Sequence, residues 1–237
     1  QKALARSICS KNYCWQQDSD EIVHESDYDK IKNLVKNFPK KTELIALPVI
    51  EYWGGPEKVR LDINPWKWRI SKNLPHITHG IPAELRKFDD NGELYSAPGS
   101  DGCDYIRNDN YQPIRFASFY TPDVDKVRQM SFSNPDALKE YQKWFNYVVE
   151  NYPGIHHYSW FDIERKIKTY RDYWSKHWQS LYDIEQKDTP ENNMFFNSSW
   201  KDVTEDQIKS MASKLSTEMG GWVFHTKVDF ERPTPVS

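Results

Sequence analysis

Between residues 2 and 71, runs rich in β-forming residues alternate with stripes at helical spacing. That alternation restricts the chain to an α/β layered domain. Residues 2 to 10 read as a short helix, and Tyr13 to Gln17 as a strand. Ser26 and Asp29 look like an N-cap pair for a helix whose stripe of Ile31, Leu34 and Val35 ends near Pro39. Glu43 to Tyr52 is rich in β-formers and alternates imperfectly, and Gly54-Gly55-Pro56 turns the chain. Val59 to Ile63 and Trp66 to Ser71 supply further strands.

Residues 72 to 120 are irregular, with four Pro and four Gly, and Asp89-Asp90-Asn91-Gly92 is a hairpin-turn signal. A stretch this long within a compact domain is functional or disordered. Its Tyr, Phe and Ile content argues for order. From residue 121 the pattern turns helical. Thr121-Pro122 and Asn134-Pro135 read as an N-cap followed by Pro at the first helical position. Tyr141, Trp144, Phe145 and Val148 form a stripe closed by Pro153-Gly154. Trp160, Ile163, Ile167, Tyr170, Trp174, Trp178 and Leu181 predict one long amphipathic helix over residues 160 to 184. Residues 186 to 202 read as a linker. Thr204 to Gln207 is a capping box, and Trp222 to His225 a last apolar segment that docks on the body.

A net charge of −3 makes no electrostatic case for nucleic acid or an anionic membrane surface. No apolar run approaches the roughly 20 residues of a membrane span. Cys9, Cys14 and Cys103 lack metal-type spacing and form no disulfide framework, so a reducing, cytoplasmic setting is expected. Ten Trp and fourteen Tyr supply either an aromatic core or stacking platforms for sugar rings and nucleobases.

The chemistry centres on Asp18-Ser19-Asp20, directly behind the strand Tyr13 to Gln17. In extended chain both carboxylates point to one side. An oxygen-preferring divalent cation, Mg²⁺ or Mn²⁺, offsets their repulsion and leaves positions for a phosphate. The same tripeptide also serves as a solvated acidic turn.

Ala5-Arg6-Ser7, then Trp15 to Gln17, then Asp18-Ser19-Asp20-Glu21-Ile22-Val23 resembles, in that order, the middle of a GT-A glycosyltransferase of the inverting, family-two type. Trp66-Lys67-Trp68-Arg69-Ile70 is similar to that family's Lys-x-Arg segment, and His157-Tyr158-Ser159-Trp160 to its late His-Tyr segment. The resemblance covers roughly residues 1 to 185. It implies a GT-A-like (Rossmann-like) mixed sheet flanked by helices, with a mostly helical C-terminal extension. It implies a partial catalytic core over 1–120 with an acceptor-loop insertion over 72–120, a helical part over 121–185, and a linker with a C-terminal helix over 186–237. It also places Gln1 well inside the usual domain, so that either the family's base-binding strand, loop and helix lie in an upstream segment or nucleotide binding is impaired or differently built.

The resemblance further implies donor binding by Arg6, Asp18 and Asp20, and Mn²⁺ or Mg²⁺ held by Asp18, Asp20 and His157. Acceptor contacts fall to Trp66, Arg69, His76 and His79. The partners are a nucleotide-sugar donor and a carbohydrate or other hydroxyl acceptor. Inversion needs one general base. Where many relatives carry an acid after His, this chain has Gly80, which leaves Asp104, Asp101 and Glu84 as candidates. Two other readings stand beside this one: a non-catalytic carbohydrate-binding or assembly module, and a different metal-dependent phosphoesterase or nucleotidyltransferase.

Overall fold

A computed structural model describes residues 2–40, 42–60, 66–74, 77–79, 87–88, 94–95, 104–106, 116–117, 135–174, 193, 195–217 and 223–224. In chain order the elements are α1 (Lys2–Ser7), β1 (Tyr13–Trp15), β2 (Glu21–Ile22), α2 (Tyr28–Lys36), β3 (Leu44–Trp53), β4 (Val59–Arg60), β5 (Trp66–Lys72) and β6 (Ile77–His79). Then come β7 (Lys87–Phe88), β8 (Leu94–Tyr95), β9 (Asp104–Ile106), β10 (Phe116–Ala117), α3 (Pro135–Asn151), β11 (Ile155–Trp160), α4 (Ile163–Thr169), α5 (Glu205–Thr217) and β12 (Val223–Phe224). The architecture is α/β, built on a curled mixed sheet.

Among the described residues eight strands form this sheet, in the order β1-β5-β3-β11-β2, with β4 and β10 also on β3 and β12 on β4. β3 is the spine. Its first half pairs antiparallel with β5, from Leu44 opposite Ser71 to Pro48 opposite Trp66. Its second half pairs parallel with β11, with Val49 opposite Ile155 and Glu51 opposite His157. All ten β3 residues are buried, which explains the imperfect alternation, because a strand covered on both faces has no solvent side to mark.

One face of the sheet carries Ile45, Leu47, Val49, Ile70 and Ile155, covered by Phe38 and the α2 stripe Ile31, Leu34 and Val35. The other carries Ala46 against Val148 of α3 and Trp68. Beyond Glu51, Trp53 enters a second cluster with Ile163, Ile167, Trp200, Val203, Ile208 and Ala212. Burying an aliphatic side chain of this size contributes about 1.5–3 kcal/mol. The sheet and its two apolar clusters therefore hold the polar groups between them.

Several local expectations change. α2 is not capped by Ser26. A 3₁₀ turn, Glu25–Asp27, precedes it with His24 as its cap. Asp27 is buried, accepting from Gly154 N at 2.9 Å and pairing with Lys30 at 2.7 Å. The long helix over 160–184 does not begin at Trp160. That residue ends β11 and stacks on Trp53 at 4.9 Å, and α4 starts at Ile163 because Asp162 accepts from Arg165 N at 2.9 Å. The helical spacing misled because Trp160, Ile163, Ile167 and Tyr170 all pack on one cluster, although the first projects from a strand. A π-turn, Tyr170–Trp174, continues α4. In the stretch read as a linker, Phe195, Phe196 and Trp200 pack on that same cluster.

Other expectations hold. Thr204 N donates to Gln207 Oε1 at 2.8 Å while Gln207 N donates to Thr204 Oγ1 at 3.2 Å, the reciprocal capping box at the start of α5. Lys87 and Phe88 pair antiparallel with Tyr95 and Leu94, on either side of the sequence Asp89-Asp90-Asn91-Gly92. β12 docks on β4. α3 begins at Pro135. Among the described residues no helix is long and apolar enough to cross a membrane. The expected helix start at Thr121-Pro122 lies outside the described residues.

Gly54 turns β3 toward β4 with φ 61°, donating to Trp160 O at 2.9 Å, and a Cβ there would lie 3.1 Å from Ile163 Cδ1. The left-handed conformation costs a non-glycine residue about 1–2 kcal/mol. Gly54→Ala is therefore expected to lower Tm by roughly 2–8 °C in a thermal melt. An unchanged melting curve would remove the strain argument.

Candidate functional site

β1 stops at Trp15, and the chain then turns instead of staying extended. Glu21 N donates to Asp18 O at 3.2 Å, and Asp18 N donates to Glu21 Oε2 at 3.1 Å. This corrects the one-sided Asp-x-Asp: in a turn the two carboxylates diverge. Asp18 Oδ2 lies 3.1 Å from Arg69 Nη2, whereas Asp20 Oδ2 lies 3.4 Å from His157 Nε2. Asp20 is also fixed through its backbone, its carbonyl accepting from Tyr158 N at 2.8 Å.

Glu21 anchors the turn. Its side chain is 0% exposed and receives Arg69 Nε at 2.8 Å, Arg69 Nη2 at 2.5 Å and Lys67 Nζ at 2.9 Å. Lys67 pairs with Leu47 on the face of Ile45 and Val49, and an irregularity of the β3–β5 register at Arg69 lets that residue reach the same cluster, while Trp68 packs on the other face of the sheet. Burial works against ionising Glu21, but the fork from Arg69 and the charge of Lys67 outweigh it and bring its pKa down to about 2 from an ordinary 4.5.

A row of paired positions runs across four strands. Arg60 on β4 is opposite Glu51 on β3, Glu51 opposite His157 on β11, and His157 opposite Glu21 on β2. Directly paired residues share a face. Glu51, only 3% exposed at its side chain, accepts from His157 Nδ1 through Oε2. Its Oε1 has no hydrogen-bond partner among the described residues. Burial disfavours the imidazolium, but Asp20 on one ring nitrogen and Glu51 on the other outweigh burial and raise His157 to about 8. The hydrogen bond from His157 in turn holds the Asp20 carboxyl well below the usual carboxylate range. Lys67 Nζ sits 3.2 Å from His157 Nδ1 and 3.3 Å from Nε2. Near-equal distances to both nitrogens put the ammonium against the ring, not in line with one lone pair. Lys166 of α4 donates to Ser159 Oγ and lies 5.6 Å from the Trp160 ring centre. Burial lowers its pKa, with Asp20 and Glu51 opposing that shift.

Of the residues singled out from sequence, the turn and sheet bring together Asp18, Asp20, Arg69 and His157. Arg6 goes elsewhere. Its Nε donates to Ile77 O at 2.7 Å, Nη1 to Ser71 Oγ at 2.8 Å and Nη2 to Lys72 O at 2.8 Å, which staples β5 to β6. Arg69 binds Glu21 and Asp18, which differs from its expected acceptor contact. Trp66, His79 and Asp104 are described as strand positions only, and β6 and β9 pair so that His79 is opposite Asp104. His76, Asp101 and Glu84 lie outside the described residues. His156 faces away from the cluster, with Nδ1 2.9 Å from Tyr52 Oη in a buried pair. Glu51, Lys67 and Lys166 are not among the site residues that the sequence singles out. For Lys67 the Lys-x-Arg alternation was the available signal.

Among the described residues no group of three or more His, Cys, Asp or Glu is arranged to hold a metal ion. Asp20 and His157 form a set of two. Hard cations such as Mg²⁺ keep several waters and use one or two protein groups plus substrate phosphate. The two donor atoms, 3.4 Å apart, have the spacing of neighbouring ligands, about 3 Å for bonds near 2.1 Å. Asp20 and His157 therefore fit such an ion, with Asp18 drawn to Arg69 and outside the set. No protein-family model, curated protein or solved structure matches the chain.

Two outcomes follow from Glu21. Because its pKa is depressed on folding, its stabilisation is complete above about pH 4.5 and is lost as pH falls toward 2. Glu21→Gln is expected to flatten that acid limb in denaturant titrations run between pH 2 and 7. Arg69→Ala strands a buried carboxylate and should cost about 3–5 kcal/mol at neutral pH, with Arg69→Lys recovering little because an ammonium cannot bridge both oxygens.

Proposed function

We propose that the cluster around Asp20 and His157 is a metal-assisted transfer site for a substrate joined to a diphosphate. Within that class we read it as an inverting glycosyltransferase of GT-A type, moving a sugar from a nucleotide-diphosphate donor to a hydroxyl acceptor. The observation that carries the reading is the approach of Asp20 to His157 at 3.4 Å, since the motif order had marked both as ligands of the donor's cation.

In this reading Asp20 and His157 hold Mn²⁺ or Mg²⁺, which when bound stabilises the negative charge developing on the departing nucleoside diphosphate. Lys166 adds positive charge near Asp20, and Lys67 does so beside His157 and Glu21. Arg69 and Glu21 keep the Asp18 to Asp20 turn from shifting when ligand arrives. The acceptor side falls to the β6 and β9 pair, which Arg6 ties to β5, next to Lys67 and Arg69. Asp104, opposite His79 in that pair, is the leading candidate for the base that takes the acceptor proton.

Calorimetric titration of nucleoside diphosphates with Mn²⁺ or with EDTA tests this. Binding is expected with Mn²⁺, and to disappear with EDTA or in Asp20→Ala. Absence of binding with Mn²⁺ would overturn the reading in favour of a non-catalytic module. Turnover that releases a sugar phosphate or pyrophosphate would move it to another class of metal enzyme.

A further inference from the structure

Two buried carboxylates face the same cluster, and they are treated differently. Glu21 has both oxygens engaged: Oε1 by Arg69 and Lys67, Oε2 by Arg69 and the amide of Asp18. That is how a carboxylate whose task is to hold a fold is satisfied. Glu51 is as deeply buried but has one engaged oxygen, Oε2 on His157 Nδ1, while Oε1 lacks a partner among the described residues. A half-satisfied buried carboxylate is a poor way to stabilise a sheet, because the unmade hydrogen bond costs about 1–3 kcal/mol, more for a charged group. A central strand of Leu, Ile and Val has easier residues for that position. The side chain is kept for what Oε2 does.

Oε2 decides which ring nitrogen carries the proton. A neutral imidazole has one N–H and one lone pair. Both ring nitrogens face a carboxylate, but Glu51 at Nδ1 is much the closer, whereas Asp20 stands 3.4 Å from Nε2, so in the neutral ring the N–H stays on Nδ1 and the lone pair on Nε2. Glu51 cannot turn away. It lies on the spine strand, in register with His157, and is 2% exposed. Lys67 leaves that choice to the carboxylates, since an ammonium at near-equal distances from both nitrogens favours neither.

We infer that Glu51 is the positioning residue of this site, holding His157 as the Nδ1–H tautomer so that Nε2 is presented to the cation beside Asp20. The inference rests on the reading of Asp20 and His157 as the ion's protein ligands. Partners of this kind, one step behind a ligating histidine, change metal affinity 10–100-fold when removed.

The test uses three measurements on the wild-type chain, Glu51→Gln and Glu51→Leu. Mn²⁺ affinity is read from the electron paramagnetic resonance signal of the free ion. Thermal melts report folding. ¹⁵N shifts of the His157 ring are read without metal at pH 9.5, where the ring is neutral. The expected result is an Nδ1–H ring in the wild type and a shift toward Nε2–H in Glu51→Leu. Mn²⁺ binding should weaken 10–100-fold in Glu51→Leu and less in Glu51→Gln, whose amide oxygen can still accept, with Tm little changed in Glu51→Gln. An Nε2–H ring in the wild type, or unchanged Mn²⁺ affinity in both variants, would overturn the role of Glu51. A large drop in Tm for Glu51→Gln with no tautomer change would assign it a structural role instead. If the wild type shows the Nδ1–H ring but binds no Mn²⁺, the metal reading fails while the control of His157 by Glu51 stands.

Discussion

The buried ion pair between Glu21 and Arg69 is the contact on which the rest of the cluster depends. In sheet order β2 is separated from β5 by β3 and β11. Across a flat sheet that is roughly 14 Å, three strand spacings of about 4.8 Å. Glu21 and Arg69 nevertheless meet through two hydrogen bonds. The sheet is curled, and the pair acts as a clasp across the curl. Because the clasp includes the turn, it fixes where Asp18 and Asp20 project. Ion pairs of this depth seldom add much net stability over an apolar substitute, and their better-attested role is to select one arrangement. Here that arrangement is the split of two neighbouring aspartates toward different cations.

The split gives the cluster its electrical character. Asp18, Asp20, Glu21 and Glu51 bring four carboxylates, while Lys67, Arg69, Lys166 and a protonated His157 bring four cations. The group is near neutral as it stands, so it can remain folded between two apolar clusters without ligand. The components differ in how committed they are. Glu21 is shut away, whereas Asp20 is 37% exposed at its side chain, the most open of the carboxylates in these pairs. Openness at Asp20 is what a site for an incoming ion or phosphate needs.

Much of the layering was legible in the chain. The run rich in β-formers before Gly54-Gly55-Pro56 announced the spine, Thr204 to Gln207 announced its helix, and the motif order singled out Asp20 and His157, which the sheet brings within 3.4 Å of each other. Three things were not legible, each for a physical reason. β11 was hidden because Trp160 lies at helical spacing from Ile163 and Ile167, and one apolar cluster receives all three. The divergence of Asp18 and Asp20 was hidden because, although Glu21 closes the turn locally, the carboxylates are drawn apart by Arg69 and His157, residues from other strands. Glu51 was hidden because in the run Leu44 to Trp53 a lone acid looks like a fault in alternation, and only its register with β11 gives it a partner. Local pattern reveals elements, whereas the site is made of pairings between elements far apart in the chain.

The spine strand has a further consequence, for the order in which this molecule assembles. The first half of β3 finds β5 after a short excursion, but its second half must wait for Ile155 to Trp160. Pairings with such separation are slow to form, since loop closure comes before any contact repays it. During synthesis from the N-terminus, Asp20, Glu21, Glu51 and Arg69 all emerge long before His157. Until β11 arrives, Glu51 has no imidazole and one edge of β3 lies open. The segment carrying His157 is thus a late addition that serves two ends: the strand that fills the open edge of β3 also brings the imidazole to Glu51.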